Sequence, residues 1–120
     1  MLTDMLQPAE NNVEGVDIRA LFPGTTVTVE THNSRYRFVV LVDPSAVLVD
    51  GGGMFPDKSI VQVVGATAGG SMIKLGWILV GLRIEMRLGS VCIRSSPVRS
   101  VKVEDALSTN WHSFGLDVMN

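Results

Sequence analysis

The sequence is poor in cysteine, histidine and charge, and each scarcity excludes a class of protein. The single cysteine, Cys92, leaves no partner for an intramolecular disulfide and no multi-cysteine metal site. The two histidines, His32 and His112, are far apart in the sequence and form no zinc-binding pair. Charged residues make up only 18% of the 120 residues and apolar residues 46%, a composition that excludes intrinsic disorder for most of the chain. A single folded domain is therefore expected.

The motifs of common catalytic and nucleotide-binding sites are also missing. Gly65 and Gly70 have the spacing of a phosphate-binding loop, but Ser71-Met72 follow them where lysine and serine or threonine are required. The sequence has neither a G-x-S-x-G nucleophile motif nor an H-E-x-x-H zinc motif. These absences favour a protein that is not an enzyme and that uses no cofactor or metal. A small enzyme using Cys92 or His32 with loop carboxylates is a further hypothesis.

One apolar stretch is long enough to raise the question of a membrane span. Between Ser59 and Leu82 the only charged residue is Lys74, and about 20 apolar residues suffice to cross a bilayer. A lysine near the bilayer centre, however, costs roughly 2.5 kcal/mol or more, and the Gly69-Gly70 pair disfavours a helix. The first residues also lack the basic and apolar regions of a secretory signal. We therefore expect a cytoplasmic protein that is not inserted in a membrane.

The segment after Thr25 alternates between polar and apolar residues with the period of a β-strand and predicts a hairpin. Asn33-Ser34 is the expected two-residue turn. That turn places Glu30 opposite Arg37 on one face. It places Val29 opposite Phe38 on the other, so one face is charged and the other is apolar.

A second hairpin is expected around Gly89-Ser90, because glycine in the first position favours a type II′ turn. This turn places Glu85 opposite Arg94 and Met86 opposite Ile93. The charged and apolar faces are again consistent with one register.

The remaining β-rich segments complete the expectation of an all-β fold. Asp17 is expected to cap a short helical turn before the first strand, and Pro97 to interrupt the strand that follows the second hairpin. The segments 59–67 and 77–80 lack polar alternation and are expected to be covered on both faces. Short strands joined by turns predict a small antiparallel barrel of about six or seven strands, because closure removes exposed edges.

Three regions follow from this assignment. Residues 1–15 are expected to form a mobile acidic tail, and residues 16–104 the barrel domain. Residues 105–120 are expected to form a second tail, whose Trp111 and Phe114 dock on the barrel or on a neighbouring subunit.

The middle of the chain is basic, whereas both ends are acidic. If the two hairpins are neighbours, their cations form one face that suits phosphate or carboxylate groups. The residues of this expected basic face are Arg35, Arg37, Arg83, Arg87, Arg94, Arg99 and Lys102.

Several short strings resemble known proteins. The strings NSRYRF at 33–38, LGW at 75–77 and SPVRS at 96–100 resemble a group of small uncharacterised bacterial proteins, over roughly residues 16–103. This resemblance implies a β-domain and carries no activity. Residues 43–48 also resemble the D/N-x-S-x-x-G signature of PilZ cyclic-dinucleotide receptors, which are small β-barrels. Leu48 replaces the final glycine and no R-x-x-x-R motif precedes it, and both departures count against that ligand.

These observations lead to two functional hypotheses. The first is a non-enzymatic module that works by binding or by assembly, with a homo-oligomer as one expected form. The alternative is a module that binds an anionic ligand, either a nucleotide or a nucleic acid, through the basic face.

Overall fold

A computed structural model describes residues 12–43 and 45–105, which form antiparallel β-strands and one turn of 3-10 helix at Ile18–Ala20. No helix in these residues is long and apolar enough to cross a membrane. In chain order the strands are β1 (Asn12–Val13), β2 (Gly15–Asp17), β3 (Thr26–Thr31), β4 (Arg35–Val40), β5 (Ala46–Gly51), β6 (Phe55–Ala68), β7 (Ser71–Leu75), β8 (Trp77–Leu79), β9 (Arg83–Leu88), β10 (Val91–Arg94) and β11 (Val98–Glu104).

Nine of these strands form one sheet in the order β1-β11-β3-β4-β5-β6-β9-β10, with β7 pairing with β6. Strands β2 and β8 form a separate two-stranded sheet. The prediction of an all-β antiparallel fold is confirmed, whereas the prediction of a closed barrel with six or seven strands is wrong. The sheet is open, and its edges are protected by their shortness, because β1 has two residues and β10 has four.

The small β2-β8 sheet covers the core that a closed barrel would have enclosed. Strand β8 packs against β6, β9 and β11, and Ile78 at its centre is fully buried. Beside it, the Val98 amide donates a hydrogen bond to the Leu82 carbonyl, and the Gly81 amide donates one to the Val98 carbonyl, both at 2.8 Å. These bonds join the start of β11 to the segment before β9, so the sheet curves around the core without closing.

Aromatic rings from β4 and β6 fill the centre of the core. Tyr36, Phe38 and Phe55 are all at most 2% exposed. The Tyr36 ring centroid lies 6.1 Å from that of Phe38 and 6.1 Å from that of Phe55, within the range of favourable ring pairs. The apolar face expected for the first hairpin is therefore the inner face of the sheet.

The first hairpin has the predicted faces but not the predicted register. Glu30 lies opposite Arg35 rather than Arg37, because the turn residues are His32 and Asn33. Thr31 explains this choice with both its backbone and its side chain. Its backbone amide donates to the Ser34 carbonyl at 2.8 Å, and its hydroxyl accepts from the Ser34 amide at 3.0 Å. The shift is two residues, so every side chain keeps its face.

The second hairpin has the predicted register. Glu85 lies opposite Arg94, and Met86 lies opposite Ile93. The Arg94 Nε atom is 3.1 Å from the Glu85 Oε1 atom. Local alternation and a glycine turn were sufficient here because, within the described residues, no side chain bonds to the amides of Gly89 or Ser90.

Strand β6 departs from the expectation that it is covered on both faces. The residues from Gly65 to Thr67, near its C-terminal end, are buried, but Ile60 is 62% exposed and Gln62 is also exposed. The outer face of β6 is therefore open over its first half. Lys74, the charge that argued against a membrane span, lies with its Nζ atom 3.6 Å from the centre of the Trp77 ring, a cation–π contact.

The N-terminal part of the described chain is paired. Asp17 caps the 3-10 helix as expected, since its Oδ1 atom accepts from the Arg19 amide at 3.0 Å. Strand β1 pairs with β11 and Gly15 pairs with Leu79, so strand pairing begins within the segment expected to be a tail. The second tail, with Trp111 and Phe114, lies outside the described residues.

Gly51 and Gly53 provide a matched pair for testing the end of β5. A Cβ atom at Gly51 would collide with the Arg35 carbonyl oxygen, and φ there is +121°. Gly53 has open space at the same position. We expect Gly51→Ala to lower the free energy of unfolding by at least about 2 kcal/mol and Gly53→Ala to change it by less than about 0.5 kcal/mol. Urea denaturation measures both, and equal effects would contradict the tight approach of β4 and β5.

Thr31 and Thr67 are both buried but differ in their hydroxyl contacts. The Thr31 hydroxyl donates to the Ser34 carbonyl and accepts from Ser96 Oγ at 2.7 Å, whereas Thr67 Oγ1 has no hydrogen-bond partner among the described residues. We expect Thr31→Val to destabilise the fold by about 2 kcal/mol and Thr67→Val to leave it as stable or slightly more stable. Thermal denaturation of the two variants makes the comparison, and a larger loss at Thr67 would show that its hydroxyl is satisfied.

Candidate functional site

The structure divides the seven predicted cations into two groups. Strands β5 and β6 lie between the two hairpins, so β4 and β9 are not neighbours. One group lies on β4 and β11 and consists of Arg35, Arg37, Arg99 and Lys102. The other lies on β9 and β10 and consists of Arg83, Arg87 and Arg94.

Several of these cations already have partners within the sheet. Arg35 Nη2 is 3.4 Å from Glu30 Oε2, and both side chains are more than half exposed. Arg94 is paired with Glu85, as described above. Arg83 Nη1 donates to the Ser95 carbonyl at 3.2 Å. Exposed pairs of this kind contribute less than about 1 kcal/mol, and they reduce the charge available to a ligand.

The cations of β4 and β11 adjoin a shallow hollow that also contains an acid. Lys102 is the cross-strand partner of Thr28, which is the partner of Arg37, which is the partner of Asp50. The hollow has a volume of about 400 Å³ and is lined by Arg37, Asp50 and their neighbours. Asp50 places a negative charge among the cations, so this surface has mixed charge.

A second hollow lies where β6 changes partners, and we call it the seam hollow. Strand β6 pairs with β5 up to Gln62 and with β7 from Gly65 onward. The two free backbone groups between these pairings are satisfied locally: the Val63 amide donates to the Ser45 carbonyl, and the Val64 carbonyl accepts from the Gly76 amide, both at 2.8 Å. The hollow measures about 290 Å³ and is lined by Arg19, Ser45, Gln62, Val63, Val64, Leu75, Gly76 and Arg87.

Arg19 is held in a defined position at one side of the seam hollow. Its Nε atom donates to Asp17 Oδ1 at 3.1 Å, and Nη2 donates to the Leu75 carbonyl at 3.1 Å. The guanidinium also lies against the backbone of Gly76, where a Cβ atom would collide with Nε. An arginine fixed in this way loses less conformational entropy when it binds a ligand.

Arg87 supplies a second cation to the same hollow. It is exposed on β9, opposite Gln62 on one side and Cys92 on the other. Within the described residues no acid forms an ion pair with Arg87. Ser45 completes the polar lining, and its φ of +67° is unusual for a residue other than glycine. The hollow therefore combines two guanidinium groups with an amide and a hydroxyl.

Arg19, Ser45 and Gln62 were not among the residues predicted for the site. Arg19 lies 68 positions before Arg87 in the sequence. The two residues share the hollow because β2 pairs with β8, which places Arg19 beside Leu75 and Gly76, and because β9 pairs with β6. A local signal existed in the Asp17-Ile18-Arg19 spacing, which suits a cap but does not indicate a binding residue.

The described residues do not include a candidate metal centre. In the ranges 12–43 and 45–105, no group of three or more histidine, cysteine, aspartate or glutamate residues could hold a metal ion. Cys92 is exposed.

No family model, curated protein or solved structure matches this chain. The resemblances to small bacterial β-domains and to PilZ receptors therefore stay predictions.

Gly76 and Gly70 test whether Arg19 is held by the backbone. Gly76 has a φ of +77° and Gly70 a φ of +85°, so alanine at either position is strained to a similar degree. Only Gly76 also touches Arg19, because a Cβ atom at Gly70 meets nothing. We expect Gly76→Ala to destabilise the fold by about 1 kcal/mol more than Gly70→Ala, since it displaces Arg19 from its hydrogen bonds. The difference should disappear in an Arg19→Ala background, and its persistence there would contradict the assignment.

Proposed function

We propose that this protein is a non-enzymatic module that binds a small anionic molecule, carrying phosphate or carboxylate groups, in the seam hollow. The observation that carries the proposal is that Arg19 and Arg87 both line one concavity. Guanidinium groups present paired donors that match the oxygens of phosphate and carboxylate, and such bonds are stronger than those between neutral groups.

The charge balance of the hollow supports an anion. Arg19 shares its charge with Asp17, and Arg87 has no acidic partner in the part of the chain described. Gln62 and Ser45 add neutral groups that can donate hydrogen bonds to ligand oxygens. The hollow therefore retains a positive charge that a bound anion would neutralise.

The size of the hollow supports a small molecule rather than a nucleic acid. Its volume of about 290 Å³ is just below the usual range for small-molecule sites, roughly 300–1,000 Å³, and suits a small ligand. Single-stranded nucleic acids are usually bound along a continuous basic groove with exposed aromatic rings. Here the cations fall into two groups, and Tyr36, Phe38 and Phe55 are buried. Phe22 is 65% exposed but belongs to none of the strands that carry these cations.

Calorimetric titration with pyrophosphate and with citrate tests the proposal and separates the two anion chemistries. We expect Arg87→Gln to weaken binding of the preferred anion by about tenfold or more, because a charged hydrogen bond is lost. Gly76→Ala should also weaken it, by moving Arg19 without changing the net charge. Arg99→Gln is the control, since it removes one exposed arginine from β11.

Three results would overturn the small-anion proposal. One is the absence of binding by either anion. Another is an equal loss in the Arg99→Gln control, which would indicate a general charge effect. The third is tight binding of a single-stranded oligonucleotide with a steep salt dependence that Arg35→Gln and Arg99→Gln both reduce, which would favour the nucleic-acid alternative. The homo-oligomer stays a prediction.

A further inference from the structure

The outer face of the sheet carries a row of apolar side chains that crosses three strands. Val39 on β4 is the cross-strand partner of Leu48 on β5, and Leu48 is the partner of Ile60 on β6. Each alternates along its strand with buried core residues, so all three lie on the outer face. Val39 and Leu48 are half-buried, and Ile60 is 62% exposed. We call these three residues the outer row.

We propose that residues 106–120 of the same chain dock on the outer row. The observation behind this proposal is that the last residue of β11 is aligned, across the strands, with the residues of the row. Strand β11 ends at Glu104, whose cross-strand partner is Thr26, and Thr26 is the partner of Val39. The proposal does not depend on the seam hollow or its ligand.

The segment is long enough to reach every residue of the row. Neighbouring strands are about 4.8 Å apart, so the four steps from β11 to β6 cover roughly 19 Å. Residues 106–120 can span up to about 50 Å when extended. The segment can therefore lie across the row and still leave residues for the turn that follows Asp105.

The composition of the segment matches that of the row. Its side chains include several large apolar groups. Tryptophan in particular combines a large apolar surface with one polar atom, which suits a partly exposed position on the row. The segment contains Asp117 and no lysine or arginine. Its large apolar residues are Leu107, Trp111, Phe114, Leu116, Val118 and Met119.

The charges beside the outer row are mixed, since Arg37 is the cross-strand partner of Asp50, which lies two residues from Leu48. Arg37 lies two residues from Val39 on the same face of β4. On the other side, Gln62 lies two residues from Ile60 and is the partner of Arg87. A segment without lysine or arginine avoids repulsion from Arg37 and Arg87.

Fluorine NMR of the full chain labelled with 5-fluorotryptophan tests the docking. The protein has two tryptophans, so the resonance lost in Trp111→Phe belongs to Trp111. A docked Trp111 should show a smaller resonance shift between H₂O and D₂O than a solvent-exposed tryptophan. We expect Ile60→Gln to restore the full solvent shift of Trp111, because the replacement removes the most exposed apolar side chain of the row.

Ile73→Gln is the matched control for this substitution. Ile73 is also an exposed isoleucine in a strand, at 56%, but it belongs to β7 and lies off the row. The Ile73→Gln substitution should leave the Trp111 resonance unchanged. Because both isoleucines are mostly exposed, neither substitution opens a cavity in the core.

Each outcome of the experiment decides the proposal. A protected Trp111 that Ile60→Gln exposes, that Ile73→Gln does not, and that is insensitive to dilution supports docking within one chain. A fully exposed Trp111, or protection that Ile60→Gln leaves intact, overturns it. Protection that is lost on dilution also overturns it, in favour of a segment supplied by a second copy of the chain.

Discussion

Strand β6 is 14 residues long, and no single strand on its β5 side is long enough to pair with all of it. Its backbone amides and carbonyls must nevertheless be satisfied, because an unpaired buried peptide group costs as much as a lost hydrogen bond. The chain meets this requirement with two partners in succession, β5 and then β7. The gap between them is closed by Ser45 and Gly76, and the seam hollow is the space left on the outer side of that gap.

The same exchange of partners explains why the sheet is open. After pairing with β6, strand β7 leads directly into β8, which leaves the main sheet and pairs with β2. The β2-β8 sheet then covers the core from the side that a barrel wall would occupy. Ile18, which directly follows β2, and Ile78 in β8 are both fully buried. Closure of the main sheet is therefore not needed to bury its apolar face.

The outer face of the sheet carries charged residues, and some of them pair with each other across neighbouring strands. Glu30 with Arg35 and Glu85 with Arg94 are cross-strand pairs, which help to select register but contribute little free energy in water. Two other features of this face carry the proposals: Arg87, which has no acidic partner among the described residues, and the exposed outer row.

Much of the fold was predictable from the sequence because it depends on neighbouring residues. Alternation determined the buried face of both hairpins, and the Gly89-Ser90 turn determined the register of the second. The register of the first was missed because Thr31 bonds to Ser34 with its side chain, which outweighs the turn preference of Asn33-Ser34. The order of strands, the open edges and the meeting of Arg19 with Arg87 were decided only by the tertiary structure. They depend on which distant strand satisfies each half of β6, and alternation along a strand carries no information about that choice.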